Sequence, residues 1–236
     1  MMKQMQQSVC ALAVLAATTL PAMAASTVDV RVIGTITPTA CTPTLSGGGT
    51  IDYGAINPNT LSATDYTVLE ERQIDFSITC DAPAKVAIKS TNGRPNTVAG
   101  STETAAGSAF PPAGVSIFGQ TNLGVLGLGL DGTAKIGGYA VRLEQGTIVV
   151  DGSINANNLA STDNGTTWLG TASGAFNVPN AERLITWGNG TNTIPIAFTT
   201  LTGKLGAQAY LNKSSELDLT KPVALDGLTT IELVYL

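Results

Sequence analysis

Strict two-residue alternation of apolar and polar side chains, broken at short intervals by glycine turn dipeptides, limits this chain to β-structure. Ile74, Phe76, Ile78 and Cys80 occupy one face of the segment Gln73–Cys80, and Asp75, Ser77 and Thr79 the other. Val86 and Ile88 repeat the pattern after Pro83. Tyr139, Val141 and Leu143 alternate against Arg142 and Glu144, and Thr147–Val150 follows after Gly146. Ile194, Ile196 and Phe198 form another alternating set, with Pro195 pointing to an edge position. Gly206–Leu211 and Thr229–Leu236 complete the series. Asn92-Gly93, Asp131-Gly132, Asp151-Gly152, Asn189-Gly190 and Asp226-Gly227 supply the turns between them.

Beyond the first two dozen residues no segment carries a 3.6-residue apolar period, so the expected fold is all-β, an antiparallel sandwich. Residues 91–135, rich in Gly, Ala and Pro, and residues 151–193, rich in Asn, Thr and Gly, read as insertions on that framework.

The amino-terminal residues 1–24 read as a secretory signal peptide. Lys3 gives the positive start, Val9–Leu20 the apolar run, and Ala22-Met23-Ala24 the small-residue cleavage site, with cleavage expected before Ala25. The apolar run falls short of the about 20 residues that a membrane-spanning helix needs, so no membrane insertion is expected. In an exported chain the two cysteines beyond the signal peptide, Cys41 and Cys80, read as a disulfide. Closing a loop of about 40 residues contributes about 4 kcal/mol in the chain-entropy model.

Several chemistries are disfavoured by composition. There are no histidines, which removes Ser-His-Asp and Cys-His catalysis and the usual zinc sites. A net charge of −5 with scattered lysines offers no footprint for nucleic acid. Glu70-Glu71 is the only adjacent acidic pair, expected on a solvated strand face rather than in a glycosidase site. The run Gly127–Gly132 matches GxGxxG but lacks the βαβ context of a phosphate site, and reads as a turn. Asp151, Ser153, Asn155 and Asn157 have calcium-loop spacing, yet Ala156 and Thr162 stand where that loop needs Gly and Glu. No catalytic residues, metal site or cofactor are therefore expected. Trp168 and Trp187 lie in the polar stretch 151–193, where indoles can stack on sugar rings, although core roles are commoner.

The two ends of the chain carry the functional expectation. Val28, Val30, Val32, Gly34 and Ile36 alternate just ahead of Cys41, and Ile231, Leu233 and Tyr235 alternate in the last strand. This pattern resembles structural subunits of chaperone–usher fimbriae, in particular a β-fimbria-type family with an ending similar to Leu233-Val234-Tyr235-Leu236. The resemblance implies an incomplete immunoglobulin-like β-sandwich over residues 41–236, completed by donor-strand exchange, with residues 25–40 as the donor extension. A periplasmic chaperone is implied to grip the last strand through Ile231, Leu233 and Tyr235. At an outer-membrane usher, the Val28–Ile36 segment of another identical or related subunit then replaces it. Each inserted Val or Ile contributes roughly 1.5–3 kcal/mol of apolar burial. The route implied runs through the periplasm to a cell-surface fimbrium, in support of adhesion or biofilm. One departure is that such subunits usually carry a glycine further from the terminus than Gly227. Alternation alone favours residues 28–36 as the chain's own first strand; the joint occurrence of extension, glycine, cysteine spacing and terminal tyrosine reverses that preference. The competing expectation is a secreted carbohydrate-binding or adhesin module with a complete sandwich.

Overall fold

The computed structural model describes residues 28–35 and 39–236. The expected signal peptide, its cleavage site and Ile36 lie outside the described residues. Two units are distinguished, with the boundary between Thr37 and Pro38. In the first, residues 28–35 form neither strand nor helix, and Val28, Val30, Val32 and Ile33 are 85 to 94% exposed.

The second unit is all-β. Its strands, in chain order, are β1 (Cys41–Leu45), β2 (Thr67–Val68), β3 (Arg72–Ala84), β4 (Val86–Asn92), β5 (Leu126–Gly127), β6 (Leu130–Asp131) and β7 (Ala134–Lys135). They continue as β8 (Gly137–Leu143), β9 (Val149–Val150), β10 (Ala156–Ser161), β11 (Leu169–Gly170), β12 (Leu184–Asn189), β13 (Phe198–Leu211) and β14 (Thr229–Tyr235). One sheet runs β1-β3-β13-β8-β5, with β2 and β9 also pairing β13. The other runs β11-β10-β12-β4-β14, and β6-β7 is a separate hairpin. Every named strand pairing is antiparallel. Among the described residues no helix is long and apolar enough to cross a membrane.

The core between the sheets follows from the alternation. Phe76 and Ile78 of β3, Val86 and Ile88 of β4, Val141 and Leu143 of β8 and Leu201 and Leu205 of β13 all turn inward and are buried in one cluster. The disulfide joins Cys41 to Cys80 where β1 and β3 lie directly opposite one another. Residues 91–135 hold the end of β4, the edge strand β5 and the β6–β7 hairpin, and the segment between β4 and β5 packs over the first sheet. Val98, Ala99, Val115, Ile117 and Val125 form a second buried cluster with Ala140 of β8 and Tyr210 of β13. Tyr210 adjoins the inward-facing Ala209 and Leu211, so it lies on the outer face of the first sheet, and that segment covers it.

Residues 151–193 depart from the expectation. They are not an insertion: they hold β10, β11 and β12, most of the second sheet. Their polar residues hid this. Asn158 and Thr186 are 1% and 0% exposed, and each donates to a distant carbonyl, while the Asn158 side-chain oxygen has no partner among the described residues. The Asn158 amide donates to Leu143 O at 3.0 Å, and the Thr186 hydroxyl donates to Val86 O at 2.7 Å. The set at Ile194, Ile196 and Phe198 also differs, because β13 begins only at Phe198. Ile196 instead makes a single backbone bond to Trp187 O.

Candidate strand-binding groove

Two strands end the sheets on the same side of the sandwich. β1 pairs β3 alone, and β14 pairs β4 alone among the described strands. Antiparallel pairing alternates residues that bond the neighbour with residues whose N–H and C=O face the opposite edge. Gly93 N donates to Leu228 O and Leu236 N to Lys85 O, so the even-numbered residues of β14 bond β4. Thr229, Ile231, Leu233 and Tyr235 therefore turn their backbone groups to the open edge. Ile231 and Leu233 also pack against the core, whereas Glu232 is exposed.

The same reasoning sets the polarity of β1. Asp81 N donates to Ala40 O, so Thr42 and Thr44 face β3, and Cys41, Pro43 and Leu45 face outward from the sheet edge. The outward Cys41 N–H donates to the Tyr235 hydroxyl at 2.8 Å. That contact brings the start of β1 to the end of β14 and closes one end of the gap between the two edges.

At the other end of β14 the gap widens into a cavity of about 1010 Å³. Val141 of β8 and Leu205, Ala207, Ala209 and Leu211 of β13 form one wall. Ile51, Tyr53 and Ile56 follow β1 along one rim. Leu217, Leu219, Val223 and Leu225 lead into Ile231 along the other. Most of the lining side chains are apolar, with Thr50, Asp52, Thr220 and Lys221 among the polar ones. Tyr53 donates its hydroxyl to Ala207 O at 2.9 Å, and burial pushes its phenol up to about 12. The hydroxyls of Tyr139 and Thr229 are hydrogen-bonded at 2.6 Å, and burial pushes the Tyr139 phenol up to about 12 as well. Thus β14 is tied to the first sheet at both ends, by Thr229–Tyr139 and Tyr235–Cys41, with an open edge between.

The approach to β14 is fixed by Arg94, whose guanidinium donates to both carboxylate oxygens of Asp226 at 2.7 and 2.6 Å. This pairing holds the Asp226 carboxyl below its usual range. Gly227 follows, and a Cβ there would meet the Tyr139 ring at 2.9 Å. Its role is close approach rather than a left-handed turn. Asp151-Gly152, by contrast, has φ of 45° and 81°, the left-handed pair of a tight turn.

The structure places the remaining sequence candidates elsewhere. Trp187 is 0% exposed and packs edge-on against Phe198, with ring centroids 5.6 Å apart. A fully enclosed indole offers no face to a sugar, so its stacking role is corrected to a core role. Trp168 is half-buried, with its ring 3.5 Å from where a Cβ on Gly165 would stand. Asp151 accepts from the amides of Thr199 and Thr200 and so joins the turn to β13. Glu71 is paired with Arg142 at 2.6 Å rather than with a second carboxylate. The Gly127–Gly132 run lies in β5, β6 and the β6–β7 turn, where Gly132 has φ 62°. The lining of Tyr53, Ile56 and Leu217–Leu225 was missed by sequence reasoning, because these residues lie in no regular strand. Their one local signal is apolar spacing without a turn residue at every break.

Comparison with known proteins adds relatives rather than an activity. A family model described as "Protein of unknown function (DUF1120)" matches residues 30–140, from the exposed amino-terminal segment through β1, the disulfide and into β8. The chain is similar to Protein GltF of Escherichia coli (strain K12), 28% identical over 97% of this chain and 96% of that protein. It is also similar to Uncharacterized protein YhcF of the same strain, 32% identical over 55% of each chain. No solved structure matches.

Proposed function

We propose that this chain is a non-catalytic structural subunit of a chaperone–usher fimbria, polymerising by donor-strand complementation in support of surface adhesion or biofilm. The observation that carries the reading is the groove: an apolar cavity beside the unpaired edge of the carboxy-terminal strand. Unpaired strand edges bind other strands, because each N–H and C=O on them needs a partner. The same chain carries an alternating apolar segment, Val28, Val30 and Val32, that forms no strand and is exposed to solvent. An exposed apolar strand-former and an apolar strand-acceptor in one molecule are the two halves of a polymer contact. The own-first-strand alternative predicts a strand over 28–36, and the described residues 28–35 form none.

In this reading Ile231, Leu233 and Tyr235 present the edge first to a periplasmic chaperone and then, at an outer-membrane usher, to Val28–Ile36 of another subunit. Gly34 brings no side chain into the groove. The signal peptide directs the chain through the periplasm to the cell surface.

The test is thermal unfolding of protein lacking residues 25–40, with and without a synthetic peptide of those residues. The expected outcome is a large rise in melting temperature and a complex that survives mild SDS. A truncated protein that is already stable and ignores the peptide overturns the reading and leaves a secreted binding module in its place.

A further inference from the structure

One wall of the cavity is held differently from the rest. Leu217, Leu219, Val223 and Leu225 line it and are half-buried, while Asp218, Thr220, Lys221 and Ala224 are exposed. The backbone of this stretch is almost unsupported. Among the described residues, 221–225 neither donate nor accept a backbone hydrogen bond, and Pro222 has no N–H to donate. Fixed points stand at both ends. Upstream, the Ser215 hydroxyl donates to Ala63 O at 2.6 Å. Downstream, Asp226 N donates to Leu128 O at 3.0 Å, and Arg94 clasps the Asp226 carboxylate. Between these points one polar tie to the rest of the fold is found among the described residues, Lys221 Nζ to Asp131 Oδ1 at 2.5 Å. Asp131 stands on the β6–β7 hairpin with its side chain 13% exposed, and its other oxygen is buried without a partner. The carboxylate is thus the fixed member of the pair, and the half-exposed lysine reaches to it.

We infer that residues 217–225 are a movable wall propped outward by the Lys221–Asp131 pair, and that losing the prop lets the wall close over the apolar floor of the cavity. The consequence rests on the strand-acceptor reading above: the pair keeps the groove open to an incoming strand. The movement itself does not depend on that reading. Leu217, Leu219, Val223 and Leu225 are only half-buried where they stand, and Val141, Leu205 and Ala209 offer them an apolar floor. Moving inward takes further apolar surface out of water, which favours closure. A segment with so few backbone hydrogen bonds changes position at small free-energy cost. Opposing this is one ion pair whose lysine is half-exposed, and such a pair is a weak tie. It therefore sets a balance between open and closed walls rather than a lock.

The experiment uses the full chain and a neutral apolar dye, N-phenyl-1-naphthylamine, whose fluorescence rises in an apolar cavity. Lys221→Met and Asp131→Asn each break the pair while shifting net charge in opposite directions. Both are expected to bind the dye about threefold more weakly than the parent, the scale of one exposed ion pair. Lys204→Met breaks the Lys204–Asp75 pair, also at 2.5 Å, whose residues do not line the cavity, and is expected to leave dye binding unchanged. A parent that binds no dye, or variants that bind it as well as the parent, overturn the movable wall. Tighter binding in the variants shows that the pair shuts the wall, and an equal loss in Lys204→Met shows a general charge effect; either overturns the inference. Melting temperatures near the parent's establish that the variants are folded, and should Asp131→Asn fail this, the surface change Lys221→Met carries the test. A peptide of residues 25–40 is the second probe, expected to associate about threefold more slowly with both variants. Equal association rates overturn the gating consequence. If the dye follows the expected pattern but the peptide binds no chain, the movable wall stands and the strand-acceptor reading falls.

Discussion

The hydroxyl of Tyr235 accepts the backbone amide of Cys41 at 2.8 Å across 194 residues of sequence. It joins the last strand of one sheet to the first strand of the other, beside the only disulfide among the described residues. This single bond shuts one end of the groove and defines which edge groups remain free.

Removing that hydroxyl tests its contribution. Tyr235→Phe keeps the ring but leaves the Cys41 amide without its partner. The expected loss is about 0.5–1.5 kcal/mol, the usual net value of one hydrogen bond. Faster amide exchange at Cys41, with the disulfide intact, is the accompanying signature. Unchanged exchange at Cys41 sinks the assignment.

Gly227 is expected to resist even the smallest side chain. Gly227→Ala places a methyl 2.9 Å from the Tyr139 ring and 3.1 Å from Leu128. Overpacking of this kind costs about 1–3 kcal/mol. Denaturant unfolding measures it, and an alanine variant as stable as the parent shows that the Tyr139 ring gives way freely.

The two tryptophans are expected to separate cleanly. Trp187→Ala empties a fully buried site and costs about 3–5 kcal/mol. Trp168→Ala, at a half-buried loop position, costs much less. Thermal melts of the two variants decide this. Equal losses contradict the core role given to Trp187.

Alkaline pH is expected to loosen the groove. Burial raises Tyr53 and Tyr139 in the folded chain from 10.0 to about 12. Between those values the unfolded chain releases phenolic protons that the folded chain retains, so stability falls as pH rises. The contribution is complete below pH 10 and is lost progressively toward pH 12. Unfolding followed across that window in the parent and in Tyr139→Phe checks the sign. The variant's midpoint is expected to fall less steeply with pH, and an equal slope rules out Tyr139 as a source.

Much of this architecture was legible in the chain. The alternation over Gln73–Cys80 became β3, the set at Tyr139–Leu143 became β8, and Thr229–Leu236 became β14. The cysteine pair became the β1–β3 disulfide. The middle of the second sheet was not legible, because its strands β10 and β12 carry buried Asn158 and Thr186. Residues of that type read as loop unless a distant carbonyl is known to receive them. Pro195 and its neighbours erred the other way, with alternation that no partner strand answers before Phe198.

Local patterns determined what could be read locally: β class, the strands with one apolar face, the disulfide, and an alternating segment ahead of Cys41. Each depends on which side of a strand a residue faces, and that is a property of neighbours in sequence. Tertiary structure decided the rest. It placed Trp187 in the core, laid the segment between β4 and β5 over the outer face of the first sheet, and left β1 and β14 as facing edges above an apolar cavity. An edge is defined by the strand that is absent beside it, and no residue in a strand encodes how many neighbours that strand acquires.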